Sequence, residues 1–341
     1  MLIRSRAPLR LGLAGGGTDV SPYSDLYGGA VLNAAINLYA YATILPRDDD
    51  TIVLRAQDRQ EQIRLPASDA LPIDGQLDLI KGVYNRIVRE YTNQPLSFEL
   101  STFVDAPPGS GLGSSSTLVI AVLGAFVEWL NLPLGEYDIA RLAYEIERVD
   151  LQFAGGKQDQ YAATFGGINF MEFFADDKVI VNPLRIKKEY LNEIEYNLVL
   201  FYTNTSRISS KIIEVQASNV EKKEKKPIEA MHKLKEQAVM MKEAILRGEL
   251  DRIGSVLDFG WQNKREMADG ISNDRIEEIY REVLRSGATG GKISGAGGGG
   301  FMMIYCPGDT KYQVRESLGN YDGYFQKFQF SKSGLTTWAL R

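Results

Sequence analysis

The chain has 341 residues, enough for about two domains at roughly 100–200 residues each. Its 44 acidic and 39 basic residues leave a net charge of −5, so no overall positive field attracts nucleic acid or anionic lipid. The single cysteine, Cys306, excludes an intramolecular disulfide, and the single histidine, His232, excludes a histidine-rich metal centre and disfavours a Ser-His-Asp hydrolase.

Neither a signal peptide nor a membrane span is expected. Arginines interrupt the apolar N-terminal stretch at Arg4, Arg6 and Arg10. The most apolar window, residues 118–130, is too short to cross a bilayer and contains Glu128. We therefore expect a cytoplasmic protein that has neither nucleic acid nor membrane as a partner.

Short β-rich segments dominate the first third of the chain. Runs of Leu, Ile, Val and Tyr between turn residues predict strands over 2–6, 9–13, 30–36, 39–46 and 98–104, with a hairpin over 51–56 and 60–65. One apolar stripe predicts a helix over about 77–91. Further helices are predicted over about 114–129 and 135–148, with a short one near Asp159.

In the last half of the chain, strands and helices alternate less regularly. Strands are predicted over 179–186 and 196–202, before a helical tract over about 208–285 with breaks near Pro227, Gly248 and Gly270. Short strands are then expected over 291–293, 301–305, 324–328 and 336–340. Strands mixed with helices, without regular βαβ alternation, predict an α+β fold.

Glycine is the most informative residue type, because the 33 glycines cluster along the chain. In the segment 107–116 (PPGSGLGSSS), three alternate glycines allow backbone amides to curl around an anion. The serines then begin a helix, whose unpaired amides and dipole favour negative charge, and Ser114 is a good N-cap candidate. We predict phosphate binding by Pro107, Gly109, Ser110, Gly111, Leu112, Gly113, Ser114, Ser115 and Ser116.

Other interpretations of the 107–116 segment fit less well. It is not a Walker A loop, because no Gly-Lys-Ser/Thr follows the glycines. It is not a nucleophile elbow, because Gly-x-Ser-x-Gly is not matched. An ordinary N-cap after a glycine turn remains the alternative.

The 107–116 segment resembles the second motif of the GHMP kinases, the superfamily of galactokinase, homoserine, mevalonate and phosphomevalonate kinases. Residues 6–19 (RAPLRLGLAGGGTD) resemble the first motif of that family, and residues 290–301 (GGKISGAGGGGF) resemble the third. Residues 6–19 together with 155–167 (GGKQDQYAATFGG) are most similar to the sugar-1-kinase branch that acts on D-glycero-D-manno-heptose 7-phosphate. Gly16 and Gly17 stand where true galactokinases carry a Glu-His pair, so galactose is not the expected acceptor.

The resemblance implies a two-domain fold and a reaction. The expected domains are an ATP-binding domain like ribosomal protein S5 domain 2 over 1–180 and a ferredoxin-like domain over 181–341, with the active site in the cleft between them. The expected reaction is direct in-line transfer of the ATP γ-phosphoryl group to the anomeric hydroxyl of a sugar. Mg²⁺ is the expected metal, and heptose 7-phosphate is the best-matching acceptor.

The resemblance also assigns roles near the reacting groups. Asp159 takes the position of the catalytic aspartate, which would accept the hydroxyl proton, and Arg10 takes that of a basic residue beside it. Glu147 is expected to bind Mg²⁺ together with Ser115, because Mg²⁺ prefers hard oxygen ligands. A helix N-cap for Asp159 and a surface position for Glu147 are the alternatives.

The remaining expected contacts concern the acceptor and the nucleotide. Asp19 could accept hydrogen bonds from sugar hydroxyls, with Gly17 and Thr18 beside it in the substrate site; an ordinary turn aspartate is the alternative. Cations would face a phosphate already on the acceptor, and the candidates by position are Lys157, Arg207 and Lys211. The third motif contains the dinucleotide pattern Gly-x-Gly-x-x-Gly, but a strand follows it, so nicotinamide binding is rejected. By resemblance its Gly297 and Gly298 contribute to the nucleotide site.

Three other functions compete with this interpretation. A related sugar 1-kinase, for example one for fucose, would share every motif and differ only in the acceptor pocket. A diphosphomevalonate decarboxylase shares the fold but has a different first motif. A non-catalytic relative that senses ATP and sugar would not need Glu147, Asp159 and Arg10 together.

Overall fold

The computed structural model describes residues 1–205 and 209–340. The first part of the chain contains β1 (Leu2–Ala14), α1 (Tyr23–Tyr27), β2 (Gly29–Pro46), β3 (Thr51–Ala56), β4 (Glu61–Pro66), α2 (Asp78–Ile87), β5 (Phe98–Val104), α3 (Ser114–Leu130), α4 (Glu136–Glu145), α5 (Gln158–Phe165), β6 (Ile168–Phe173) and β7 (Val179–Pro183). The second part contains α6 (Lys188–Asn197), β8 (Leu198–Tyr202), α7 (Ser209–Glu221), α8 (Lys225–Arg247), α9 (Arg252–Lys264), α10 (Asp274–Arg285), β9 (Gly290–Ile293), β10 (Phe301–Tyr305), α11 (Thr310–Ser317), β11 (Tyr324–Gln326) and β12 (Thr336–Leu340). The mixture of strands and helices confirms the predicted α+β class.

Two long strands, β1 and β2, organise the first sheet. Its strand order is β12-β1-β2-β5-β3-β4, and the N-terminal half of β2 pairs instead with β6, which pairs with β7. The sequence predicted two separate strands in place of each of β1 and β2. The structure shows that each is one continuous strand, and that the register of their pairing shifts between Pro8 and Arg10. A proline is tolerated inside a strand at such an irregularity.

Helix α3 forms the centre of the first domain. Its composition is apolar on nearly all sides, and residues such as Val119, Ile120 and Phe126 are fully buried against β1 and β2. A helix that is apolar all round is stable only in a core position. The N-terminal end of α3 is thereby held at a defined edge of the sheet, where the glycine loop enters it.

The second sheet is antiparallel, with the order β11-β8-β10-β9. Helix α8 packs between the two sheets, where Ala238 and Met241 share a buried cluster with Leu11 of β1 and Met303 of β10. This shared apolar core joins the two halves of the chain. The halves therefore present a cleft between their loops.

The domain limits, 1–180 and 181–341, require adjustment at two strands. β7 (Val179–Pro183) crosses the proposed boundary, and β12 returns to pair with β1 in the first sheet. We propose a boundary after β7, with Thr336–Leu340 counted in the first domain. Three helices, α1, α6 and α11, were not predicted: α1 has only five residues, and the few apolar positions of α6 and α11 give a weak helical pattern.

One other local feature differs from the expectations for the helical tract. Pro227 lies in the first turn of α8, where the absent amide hydrogen costs nothing, and the break falls before Lys225. In the described part of the chain, no helix combines the length and the apolar composition needed to cross a membrane.

Candidate active site

The glycine loop of residues 107–113 leads directly into α3 and lines a cleft of about 710 Å³. Gly109, Gly111 and Gly113 have φ angles of 72°, 79° and 77°, in the left-handed region that favours glycine. Gly113 occupies the N-cap position and Ser114 is the first helical residue, so the prediction of Ser114 as the N-cap was wrong. The glycine brings the backbone amides of the first turn to the cleft without an intervening side chain.

Not every residue predicted in this loop faces the cleft. The lining residues are Pro108, Gly109, Gly111, Gly113, Ser114, Ser115 and Ser116. Pro107 is not among them, and the Leu112 side chain is buried in the apolar core. The Ser110 hydroxyl is also buried, without a hydrogen-bond partner among the described residues. A phosphate contact by Leu112 or Ser110 would therefore use backbone atoms.

Asp159 and Arg10 form an ion pair beside this loop. The Arg10 Nε donates to Asp159 Oδ1 at 2.7 Å, and its Nη1 donates to the carbonyl oxygen of Gly111 at 2.5 Å. A Cβ added to Gly113 would lie 3.2 Å from Cγ of Asp159, so the carboxylate stands directly against the loop. Both side chains line the cleft. Arg10 thus connects the first sequence motif to the second and to the aspartate.

Glu147 lies on the same cleft wall, just beyond the end of α4, and is almost completely buried. It accepts hydrogen bonds from Ser116 Oγ at 3.0 Å and from the Gln160 side chain. Burial raises the pKa of Glu147 above its ordinary value. The serine that hydrogen-bonds to the carboxylate is Ser116, whereas Ser115, expected to bind Mg²⁺ together with Glu147, is exposed in the cleft.

The residues proposed to hold the acceptor divide into two groups. Asp19 lines the cleft and accepts three hydrogen bonds of 3.1 Å, from the Gly17 amide and from the amide and side chain of Gln158. Gly17 also lines the cleft. Thr18 does not: its buried hydroxyl bonds to the backbone of Gly15 and Ala30 and fastens the turn, so its assignment to substrate was wrong.

The cations proposed for an acceptor phosphate are not at the cleft surface. Lys157 is buried and pairs with Asp177 at 2.8 Å and Asp25 at 3.3 Å, so its charge is already balanced and it does not line the cleft. Lys211 is exposed on α7 and is not a lining residue either. Arg207 lies outside the described residues.

The third motif packs against the phosphate loop. The Ser294 hydroxyl donates to the carbonyl oxygen of Gly111 at 2.9 Å, and the amide of Phe301 donates to that of Ser110 at 3.0 Å. Gly295 and Ala296 line the cleft. Gly297 and Gly298 are buried beside Ile271 and do not, so the motif meets the cleft two residues earlier than expected.

Several lining side chains, among them Arg148, Gln158, Glu214 and Lys264, were not predicted, and neither was the buried Gln160 beside them. Gln158 and Gln160 flank Asp159 at the start of α5, and their only sequence signal was their position beside that aspartate. Lys264, the last residue of α9, is buried at the cleft wall, and burial lowers its pKa to about 8. Lys264 belongs to none of the three sequence motifs, and it lies far along the chain from the other site residues.

The single histidine and cysteine lie away from this site. His232 is exposed on α8 and shares a hydrogen bond of 2.7 Å with the Tyr23 hydroxyl. Cys306 is buried directly after β10, and burial raises the pKa of its thiol to about 12. Neither residue lines the cleft.

Comparison with known proteins relates this arrangement to one family. Residues 78–167 match the GHMP kinases N terminal domain, and residues 241–323 match the GHMP kinases C terminal domain. The chain is 48% identical, over 99% of both chains, to D-glycero-alpha-D-manno-heptose 7-phosphate kinase of Campylobacter jejuni. It is 28% identical to L-fucokinase/L-fucose-1-P guanylyltransferase of Bacteroides fragilis, over 89% of this chain and 34% of that one.

Solved structures show the same architecture. A D-glycero-D-manno-heptose 1-phosphate kinase from Bacteroides thetaiotaomicron superposes with a TM-score of 0.84 at 46% identity, covering 99% of each chain. Galactokinase of Lactococcus lactis superposes with a TM-score of 0.77 at 19% identity, over 98% of this chain and 95% of that one, and shows the fold alone. From its three motifs, its two matched domains and these relatives, the protein belongs to the GHMP kinase family.

Proposed function

We propose that the protein transfers the γ-phosphoryl group of ATP to the anomeric hydroxyl of D-glycero-D-manno-heptose 7-phosphate. The observation that carries this proposal is the Arg10–Asp159 ion pair held against the glycine loop, within one cleft. The choice of acceptor is supported by the 48% identity to a heptose 7-phosphate kinase. The first sequence motif, with glycines at 16 and 17, agrees with that branch.

In the proposed reaction Asp159 orients the anomeric hydroxyl and accepts its proton. The anomeric oxygen attacks the γ-phosphorus, the bond from phosphorus to the β-phosphate oxygen breaks, and the proton passes to the carboxylate. Arg10 holds that carboxylate through its Nε, and its charge stabilises the negative phosphoryl group in transfer. Asp19, fixed by three donors, would accept hydrogen bonds from sugar hydroxyls.

The phosphates of ATP would bind the amides of the 109–114 turn at the start of α3. The fit of Mg²⁺ is supported by Glu147, a buried carboxylate on the cleft wall beside serine hydroxyls, since Mg²⁺ takes such hard oxygen ligands together with phosphate oxygens. Glu147 with Ser115 or Ser116 would hold the ion, which supplies positive charge to the phosphate oxygens. Gln160 keeps the Glu147 side chain in place.

A substrate screen tests the proposed function. The purified protein is incubated with ATP and Mg²⁺ and with heptose 7-phosphate, unphosphorylated heptose, fucose, galactose or mevalonate, and phosphorus NMR follows the product. We expect a new anomeric phosphate from heptose 7-phosphate. Turnover of fucose without turnover of the heptose phosphate would favour a fucokinase, and ATP binding without turnover of any acceptor would favour a sensor.

The variant Glu147→Gln tests the metal assignment. We expect the Mg²⁺ concentration for half-maximal activity to rise at least about 10-fold, because even outer-shell partners of a metal commonly contribute that much. Glu145→Gln is the matched control, since Glu145 pairs with Arg86 and Arg141 and does not line the cleft. Equal Mg²⁺ requirements for both variants would remove Glu147 from the metal site.

A further inference from the structure

Lys264 is a charged residue of the cleft wall that the proposed reaction leaves without a role, as are Glu214 and Arg148, which pairs with Glu147. It ends α9 with only 2% of its surface exposed, on the same cleft as Arg10 and Asp159. Its Nζ donates to the carbonyl oxygen of Gly295 at 2.6 Å. That glycine abuts Gly111 of the phosphate loop, so the ammonium lies near the meeting point of the three motifs.

Two other buried lysines have carboxylate partners, whereas buried Lys292, like Lys264, has none within 4.0 Å among the described residues. Lys81 pairs with Asp74 and Asp78, and Lys157 pairs with Asp25 and Asp177. Across residues 1–205 and 209–340, no carboxylate lies within 4.0 Å of the Lys264 Nζ. A buried charge without a counter-charge is costly, and sites of this kind persist where a ligand supplies the opposite charge.

The charges around Lys264 favour an anion. Arg10 and Lys292 are further cations near it, and Asp19 and Asp159 are the neighbouring carboxylates. Asp159 is paired with Arg10, and Asp19 is held by three N–H donors. Lys292 donates to the carbonyl oxygen of Gly12 at 2.9 Å and does not line the cleft. Among the described residues, Lys264 is therefore the cation of the cleft wall that has no carboxylate within 4.0 Å, since Arg10 pairs with Asp159 and Arg148 with Glu147.

We propose that Lys264 binds the phosphate group that the acceptor already carries, and that it sets the preference for a phosphorylated sugar. This inference rests on the proposed function and adds to it the residue that recognises the acceptor phosphate. A sugar hydroxyl would satisfy a hydrogen bond but leave the buried charge unbalanced, whereas a phosphate supplies both. Burial lowers the pKa of Lys264 to about 8; the nearby Arg10 also lowers this pKa, and Asp19 raises it. These effects agree with an ammonium group that lacks a counter-charge.

Two lysine variants and two acceptors test the proposal. For Lys264→Met we expect the KM for heptose 7-phosphate to rise about 10- to 100-fold, the range for a lost charged hydrogen bond. The KM for unphosphorylated heptose and the KM for ATP should change less than about threefold. Lys157→Met is the matched control, because Lys157 is also buried and its two aspartate partners are exposed, so that water can solvate them after the replacement. This variant should leave the KM for heptose 7-phosphate unchanged.

Other outcomes overturn the proposal. An equal rise in KM for both acceptors would assign Lys264 to a hydroxyl, and a rise only for ATP would assign it to the nucleotide. Because this lysine loses its charge as the pH rises through about 8, the wild-type preference for the phosphorylated acceptor should fall above that pH. A preference that stays constant there contradicts the assignment even if the variant fails to fold.

Direct binding separates this proposal from the proposed function. Calorimetry without nucleotide measures the affinity of the wild type and of Lys264→Met for heptose 7-phosphate. Wild-type binding without turnover would contradict the kinase proposal, and the Lys264 assignment would then stand or fall with the variant's affinity, expected to be at least about 10-fold weaker. Absence of wild-type binding would overturn both.

Discussion

Replacement of Asp159 by asparagine is expected to lower turnover by about 10²-fold or more while ATP affinity changes only a few-fold. Asparagine has nearly the same shape and can still accept the hydrogen bond from Arg10, which spans 2.7 Å in the wild type. It cannot take up the proton that leaves the anomeric hydroxyl. The carboxylate lies beside Gly113, but the groups that would bind the phosphates are the backbone amides of the loop. The nucleotide contacts should therefore persist in the variant.

The measurement pairs steady-state turnover with calorimetric ATP binding. Asp138→Asn is the matched control, since Asp138 is an exposed aspartate that caps α4 through the Gly135 amide, away from the cleft. We expect the control to turn over substrate as the wild type does. Near-normal turnover by Asp159→Asn would exclude this carboxylate as the base, and loss of ATP binding would indicate a structural role instead.

Replacement of Gly111 by alanine is expected to weaken ATP binding by about 10- to 100-fold, equivalent to one or two lost phosphate hydrogen bonds. Gly111 has a φ of 79°, and an added Cβ would lie 2.3 Å from the Ser294 carbonyl oxygen. Since that neighbour is backbone, the third motif and the phosphate loop must move apart. The Arg10 contact to the Gly111 carbonyl oxygen would move with them, so turnover should fall as well.

The control variant Gly308→Ala distinguishes the effect of the Cβ collision at Gly111 from the effect of backbone strain. Gly308 has a φ of 61°, and no atom lies within 4 Å of an added Cβ. Alanine there pays the left-handed strain, about 1–2 kcal/mol of stability, without displacing a neighbour. ATP affinity should be that of the wild type in this control. Wild-type affinity in Gly111→Ala would show that the two loops tolerate separation and that the contact between them does not shape the nucleotide site.

Local pattern was sufficient for most elements and for the phosphate loop. The apolar composition of 114–130 predicted α3 nearly to the residue, and the glycines at 109, 111 and 113 predicted the turn that enters it. The errors arose where local pattern and long-range pairing disagree. Pro8 suggested a break, yet the strand continues through it because β2 pairs with β1 both before and after the proline.

The start of α5 shows what local pattern does not contain. Three consecutive residues there reach three parts of the site: Gln158 holds Asp19, Asp159 holds Arg10, and Gln160 holds Glu147. Successive residues of a helix point about a quarter-turn or more apart, so one helix end can serve three partners. The resemblance to the GHMP kinases identifies Asp159 by its motif. The partners of the two glutamines, in contrast, come from distant segments of the chain.

The resemblance to the GHMP kinases supplied the expectation that Asp159 lies close to Arg10. The amino-acid sequence by itself determined the α+β class, the glycine turn and the order of the three motifs. Those features depend on backbone freedom, apolar periodicity and short-range motifs, which neighbouring residues encode. Only the tertiary structure decided that Ser116 rather than Ser115 meets Glu147, that Lys157 is neutralised, and that Lys264 reaches the cleft. Those outcomes depend on which side chains the shared core between the sheets brings together, because charge and burial are properties of neighbours in space.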